Sequence, residues 1–153
     1  MTHQVPIDTI DRAIIRQLQI DGRASYADLA AEVGLSAPAV RQRMQRLMET
    51  GLLQVVAVTD PLKLGLSVMA MVGIEVDGDI RAVADAVGAI DKVIYVVLTS
   101  GSFDLFAEVV CADMDQLFEV VNDRLKSIAG VKATESFVYF DIHTHRFNWG
   151  VPE

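Results

Sequence analysis

Gln42, Arg43 and Arg46 stand close together, and Ser36, Pro38 and Ala39 precede them by about a turn of helix. Amide and guanidinium groups so arranged are donors that can meet base edges and phosphate oxygens, if a helix presents them together and small residues let its N-terminal end approach. At 100° per residue, Pro38, Gln42, Gln45, Arg46 and Glu49 fall on one helix face, flanked by Ala39, Arg41 and Arg43. Val40, Met44 and Leu47 fall opposite, with Ala37 beside them, and should be buried. Such a face alone also suits an ordinary solvated amphipathic helix, so the elements that carry it must decide.

Those elements are two short helices joined by a tight turn, SYADLAAEVGLSAPAVRQRMQRL at residues 25 to 47. Ser25 is a suitable N-cap, Asp28 closes a capping box, and Leu29, Ala30 and Val33 form an apolar stripe. Gly34 can take the left-handed conformation that ends a helix, and Ser36 is placed to cap the next one. The resulting turn of about three residues fits a helix-turn-helix unit. Upstream, Ile7, Ile10, Ile14, Ile15 and Leu18 recur at helical spacing behind Asp8, a candidate N-cap, and supply a third helix. Beyond Gly51, the β-prone run Leu52 to Val58 predicts a short hairpin or wing. Residues 1–60 therefore read as a winged helix-turn-helix domain with double-stranded DNA as its partner.

Charge complicates that reading. The chain carries a net −8 with a sequence pI near 4.7, whereas phosphate neutralisation by Lys and Arg supplies most sequence-independent DNA affinity. The distribution helps: residues 1–60 hold six arginines against seven acids, while residues 61–153 hold seven basic and fourteen acidic groups. From Ser36 to Gly51 the balance is locally +2. One chain should bind DNA weakly, so dimers or larger homo-oligomers are expected to combine several helices on one duplex. No apolar run reaches the roughly 18 residues of a membrane span, and MTHQVPID lacks signal-peptide regions, which predicts a cytoplasmic protein without membrane contact. Cys111 stands alone, so no intrachain disulfide is expected, and its apolar surroundings read as core.

The second half alternates differently. After a hinge at 61–66, Val68, Ala70, Val72, Ile74 and Val76 share one face of a strand. Asp77-Gly78 turns into a helix striped by Ile80, Val83, Ala84, Val87 and Ile90. Residues 93–99 and 103–111 read as two strands of a hairpin, Asp113 opens a helix that runs to Gly130, and 131–142 is a last strand. The order is βαββαβ over 67–142, a ferredoxin-like (ACT-like) α+β sandwich, followed by a polar tail at 143–153. Its helix-free sheet face needs a partner, and a second copy is the simplest.

With these motifs in place the chain resembles the Lrp/AsnC (leucine-responsive, feast/famine) family of transcription regulators. The resemblance rests on Asp11-Arg12, the Val33 to Ser36 turn, Arg43 to Leu47 and Gly101 to Asp104, in the family's order. It implies a dimer built through the C-terminal sheets, often assembled to tetramers or octamers, that binds DNA and responds to a small molecule, commonly an amino acid. The implied effector site is the hairpin Ser100, Gly101, Ser102 and Asp104. Gly101 would let a ligand approach the backbone and Asp104 would accept from an α-ammonium, with Thr99 and, from a neighbouring chain, Thr134 or Ser136 completing the polar set. A plain hairpin with Gly101 serving the turn and Asp104 solvated is the alternative. Two imidazoles at His143 and His145 fall short of a zinc site, and Phe147 and Trp149 read as packing residues. No metal or cofactor is expected. No phosphate-binding loop, nucleophile elbow or HExxH occurs, which leaves an enzyme the weakest of three readings. The others are a regulator switched by a small molecule and a ligand-independent architectural DNA-binding protein.

Overall fold

The computed structural model describes residues 5–144 and 150–151. Its chain divides into two compact units: the described residues up to Val58 together with those from Thr144 onward, and Thr59–His143.

The first unit holds α1 (Thr9–Ile20), α2 (Tyr26–Val33) and α3 (Ala37–Glu49). Reciprocal capping boxes open α1 through Asp8 and Asp11 and α2 through Ser25 and Asp28, each satisfying helix N–H groups that have no partner within the helix. Gly34 ends α2 at φ 69°, and the N–H groups of Gly34 and Leu35 both donate to the Ala30 carbonyl. Ile14, Leu29, Val40 and Leu47 are completely enclosed at the centre, with Ile15, Leu18, Met44 and Leu53 around them. Three expectations need correction here. Ser36 caps α3 by position only, since its side chain makes no bond to the first turn. The wing does not form: residues 53–60 contain neither helix nor strand, and Val55, Val56 and Val58 are exposed. No strand among the described residues pairs with this β-prone run, and an isolated extended run is not stable as a strand. The C-terminal end is also more than a polar tail, since Val151 packs against the three-helix core.

The second unit contains β1 (Val68–Val76), α4 (Ile80–Gly88), β2 (Val93–Leu98), β3 (Leu105–Cys111), α5 (Met114–Glu119) and β4 (Val131–Val138). The sheet order is β2-β3-β1-β4, antiparallel throughout, as the split βαβ pattern requires. Side Asp carboxylates cap both helices, Asp79 on α4 and Asp113 on α5. The expected single helix to Gly130 instead passes from α5 into a π-helical segment, Val120–Leu125, with Val120, Val121 and Leu125 buried. Ala70, Val72, Ile74, Leu105, Ala107 and Val109 meet the helices in the core. β4 stops at Val138, short of the predicted 142, because it pairs only with β1 and β1 begins at Val68.

On the helix-free face Phe103 lies over Gly73, where a Cβ would sit 2.6 Å from its ring. Phe106 and Phe137 meet Phe103 edge-on, with ring centres 5.5 and 6.2 Å away. The Tyr139 hydroxyl donates to Glu108 Oε1 at 2.9 Å, and burial, followed by that hydrogen bond, holds the phenol's pKa above its ordinary value. No helix among the described residues is long and apolar enough to cross a membrane.

Candidate nucleic-acid interface

α3 separates its faces as its sequence spacing demands. Val40, Met44 and Leu47 are buried, while Ser36, Pro38, Gln42 and Arg46 are exposed and Ala39 and Arg43 half-buried. Arg41 and Gln45 are exposed as well, and Gln45 Nε2 donates to Glu49 Oε1 at 2.9 Å.

The two arginines predicted to face DNA are tied to α1. Arg43 Nη1 donates to Asp8 Oδ2 at 2.7 Å and to Asp11 Oδ1 at 2.8 Å, and Arg46 Nη2 donates to Asp11 Oδ2. Asp11 is the one charged residue buried among the described residues, its side chain 1% exposed. The main chain completes the network: Asp8 N–H donates to Asp11 Oδ2 and Asp11 N–H to Asp8 Oδ1. The backbone N–H of Asp11, then the Arg43 guanidinium, hold the Asp8 carboxyl below its ordinary pKa. A polar groove of about 630 Å³ runs along this network, lined by Asp8, Gln42, Arg43, Gln45, Arg46 and Glu49. Sequence reasoning missed Asp8 and Asp11 as partners of α3. The available signal was matched spacing, two carboxylates three residues apart on α1 and two guanidiniums three apart on α3.

The hairpin residues are partly brought together. Thr99 N–H donates to the Asp104 carbonyl at 2.9 Å, and the Thr99 hydroxyl donates to the Phe103 carbonyl. Asp104 is not the solvated carboxylate of the plain-hairpin alternative: it is half-buried, its N–H donates to the Ile74 carbonyl, and Oδ2 accepts from Val76 N–H at 2.8 Å. Ser100, Gly101 and Ser102 are exposed, a Cβ on Gly101 would meet nothing within 4 Å, and Gly101 is not among the glycines at positive φ. The backbone there does not require glycine. Thr134 pairs with Ile74 from the opposite side of β1, so within one chain a strand separates it from Asp104. Its hydroxyl oxygen is buried without a hydrogen-bond partner, whereas Ser136, opposite Val72, is exposed. His145, Phe147 and Trp149 lie outside the described residues, among which no cluster of three or more His, Cys, Asp or Glu is placed to hold a metal.

Residues 7–48 match the AsnC-type helix-turn-helix domain, and residues 69–148 match the Lrp/AsnC ligand binding domain. The chain belongs to the Lrp/AsnC family. It is a transcriptional regulator in which a helix-turn-helix precedes a ligand-binding domain, as its family models describe. It is 28% identical over 151 residues to an HTH-type transcriptional regulator of Pyrococcus abyssi, covering 97% of this chain and 93% of the relative. Among solved structures it is similar to the leucine response regulatory protein LrpA of Mycobacterium tuberculosis, with TM-score 0.84 and 27% identity over 93% of this chain and 98% of that one. It is also similar to AsnC of Escherichia coli, with TM-score 0.79 and 25% identity over 93% of this chain and 97% of that one.

Proposed function

We propose that this Lrp/AsnC family member binds specific DNA sequences as a homo-oligomer and that an amino acid modulates its DNA binding or assembly. In this reading residues 1–60 contact DNA, 61–66 act as the hinge, and 67–142 sense the effector and assemble the protomers. The observation that carries it is α3: its apolar face is enclosed by α1 and α2, leaving the end with Ser36, Pro38, Ala39 and Gln42 open to a major groove, with Arg43 and Arg46 at the edge. The ligand-binding family match and the name of the leucine response regulatory protein support an amino acid as effector. The open approach to Gly101 and the unpartnered Thr134 hydroxyl support the hairpin end of the sheet, with Thr99, Ser100, Ser102 and Asp104 of one chain and Thr134 or Ser136 of a neighbouring copy around it. The net charge of −8 weighs against an architectural role based on backbone contacts alone.

A thermal-shift screen against the twenty amino acids tests the effector, because a ligand of the folded state raises apparent stability by mass action, about 2.7 kcal/mol at a hundred times Kd. One selective hit should also change the DNA mobility shift, and Gly101→Trp should abolish both responses while basal DNA binding persists. Silence from all twenty at millimolar concentration overturns the amino-acid effector. A normal response in Gly101→Trp moves the site away from the hairpin.

A further inference from the structure

Two of the three arginines on α3 are occupied. Arg43 and Arg46 are bound to carboxylates of α1, while Arg41 is exposed and makes no ion pair among the described residues. Counting Asp8 and Asp11 turns the local +2 of residues 36–51 into neutrality. Stability alone gives little reason for this arrangement, since apolar side chains of similar volume commonly replace buried ion pairs without loss, and pairs whose cations reach solvent, as Arg43 and Arg46 do, contribute less still. What the arrangement does supply is geometry, because a guanidinium held on a buried carboxylate has surrendered its side-chain freedom. A free arginine at a DNA surface can reach whichever phosphate is nearest, which adds affinity without sequence information.

We propose that Asp11, assisted by Asp8, is a specificity-determining positioning residue, which holds Arg43 and Arg46 in one geometry toward DNA and withholds them from indiscriminate phosphate contact. This rests on the reading of α3 as the DNA-contacting helix.

The experiment compares full-length wild type, Asp11→Asn, Asp8→Asn and Glu49→Gln by fluorescence anisotropy between 50 and 200 mM NaCl. Two duplexes are used, one selected by the wild type from a random library and one a scramble of it. Asn retains an acceptor at either position, so Asp8→Asn keeps the N-cap of α1 while removing its charge. In Asp11→Asn the scrambled duplex should bind more tightly, with a salt slope steeper by about 0.9 for each arginine released. That slope is worth about threefold per arginine across this salt range, so with both released the gain on the scrambled duplex, and with it the fall in the ratio of selected to scrambled affinity, should be about tenfold larger at 50 mM than at 200 mM. Asp8→Asn should move the same way by less. A residue with only a structural role would instead weaken both duplexes and leave the slope unchanged, and that result overturns the proposal. So does an equal gain in Glu49→Gln, which removes a groove carboxylate that touches neither arginine. Circular dichroism checks folding, and if Asp11→Asn unfolds, the absence of any gain in Asp8→Asn is decisive against it. A wild type that binds no duplex at any salt would overturn the reading of α3 itself.

Discussion

Asp11 in the helical unit and Asp104 in the sandwich are both carboxylates drawn in from the surface, and they are satisfied by different means. Asp11 accepts one capping N–H, from Asp8, and is otherwise paired with side chains 32 and 35 residues away, whereas Asp104 accepts a backbone N–H from Val76, beyond the last paired residue of the β1–β3 ladder. Helices spend most of their N–H groups internally, so a carboxylate enclosed between helices finds few main-chain donors beyond a cap and is completed by cationic side chains. A strand end whose register shifts, as β1 does between Glu75 and Val76, has an N–H to offer. Charge pairing fixes how one helix lies on another, and a single neutral donor is enough to close a sheet end.

The largest test of this contrast removes the cations. Arg43→Ala with Arg46→Ala should cost about 3–5 kcal/mol in urea unfolding of the full chain, because Asp11 is left enclosed without a counter-charge. A loss under about 1 kcal/mol would mean that water replaces the arginines, and the contrast would collapse. Next, Asp104→Ala should cost about 1–3 kcal/mol by stranding the Val76 N–H, and Asp104→Asn should recover most of it, since only an acceptor is needed. Equal losses in the two variants would show that charge matters at Asp104 as well. The smallest effect is in acid. The Asp8 pKa is depressed in the folded chain, so its contribution is fully present above the ordinary value of 3.8 and is lost as pH falls through the folded value. The difference in Tm between wild type and Asp8→Asn should therefore shrink between pH 6 and pH 3, and a difference that grows in acid would reverse the assigned sign.

What was legible in the sequence was mostly local. Ser25 and Asp28 sit three residues apart, Gly34 follows the last apolar position of α2, and both facts reappear as a capping box and a left-handed C-cap. The strand order was legible too, because alternation and two helical stripes leave few antiparallel arrangements open. Misreadings arose where the outcome depended on a distant partner. Leu53 to Val58 has strand composition without a strand beside it, and residues 139–142 have β-rich neighbours but lie past the start of β1. At the candidate interface, burial of Val40, Met44 and Leu47 followed from spacing alone. The link from Arg43 and Arg46 to Asp11 did not, because it requires knowing that α1 packs against α3. In the same way, the bond from the Val76 N–H to Asp104 Oδ2 depends on where β1 ends, which residue spacing does not give.

Cys111 is the chain's single thiol, fully enclosed at the end of β3 opposite Val68, and burial pushes its pKa up. An alkylating reagent needs both access and the thiolate, so it can react only during moments when the sandwich opens. The native protein thus carries its own clock: the labelling rate at fixed pH reports how often this unit breathes, and a molecule that stabilises the closed sandwich will slow it without any added probe.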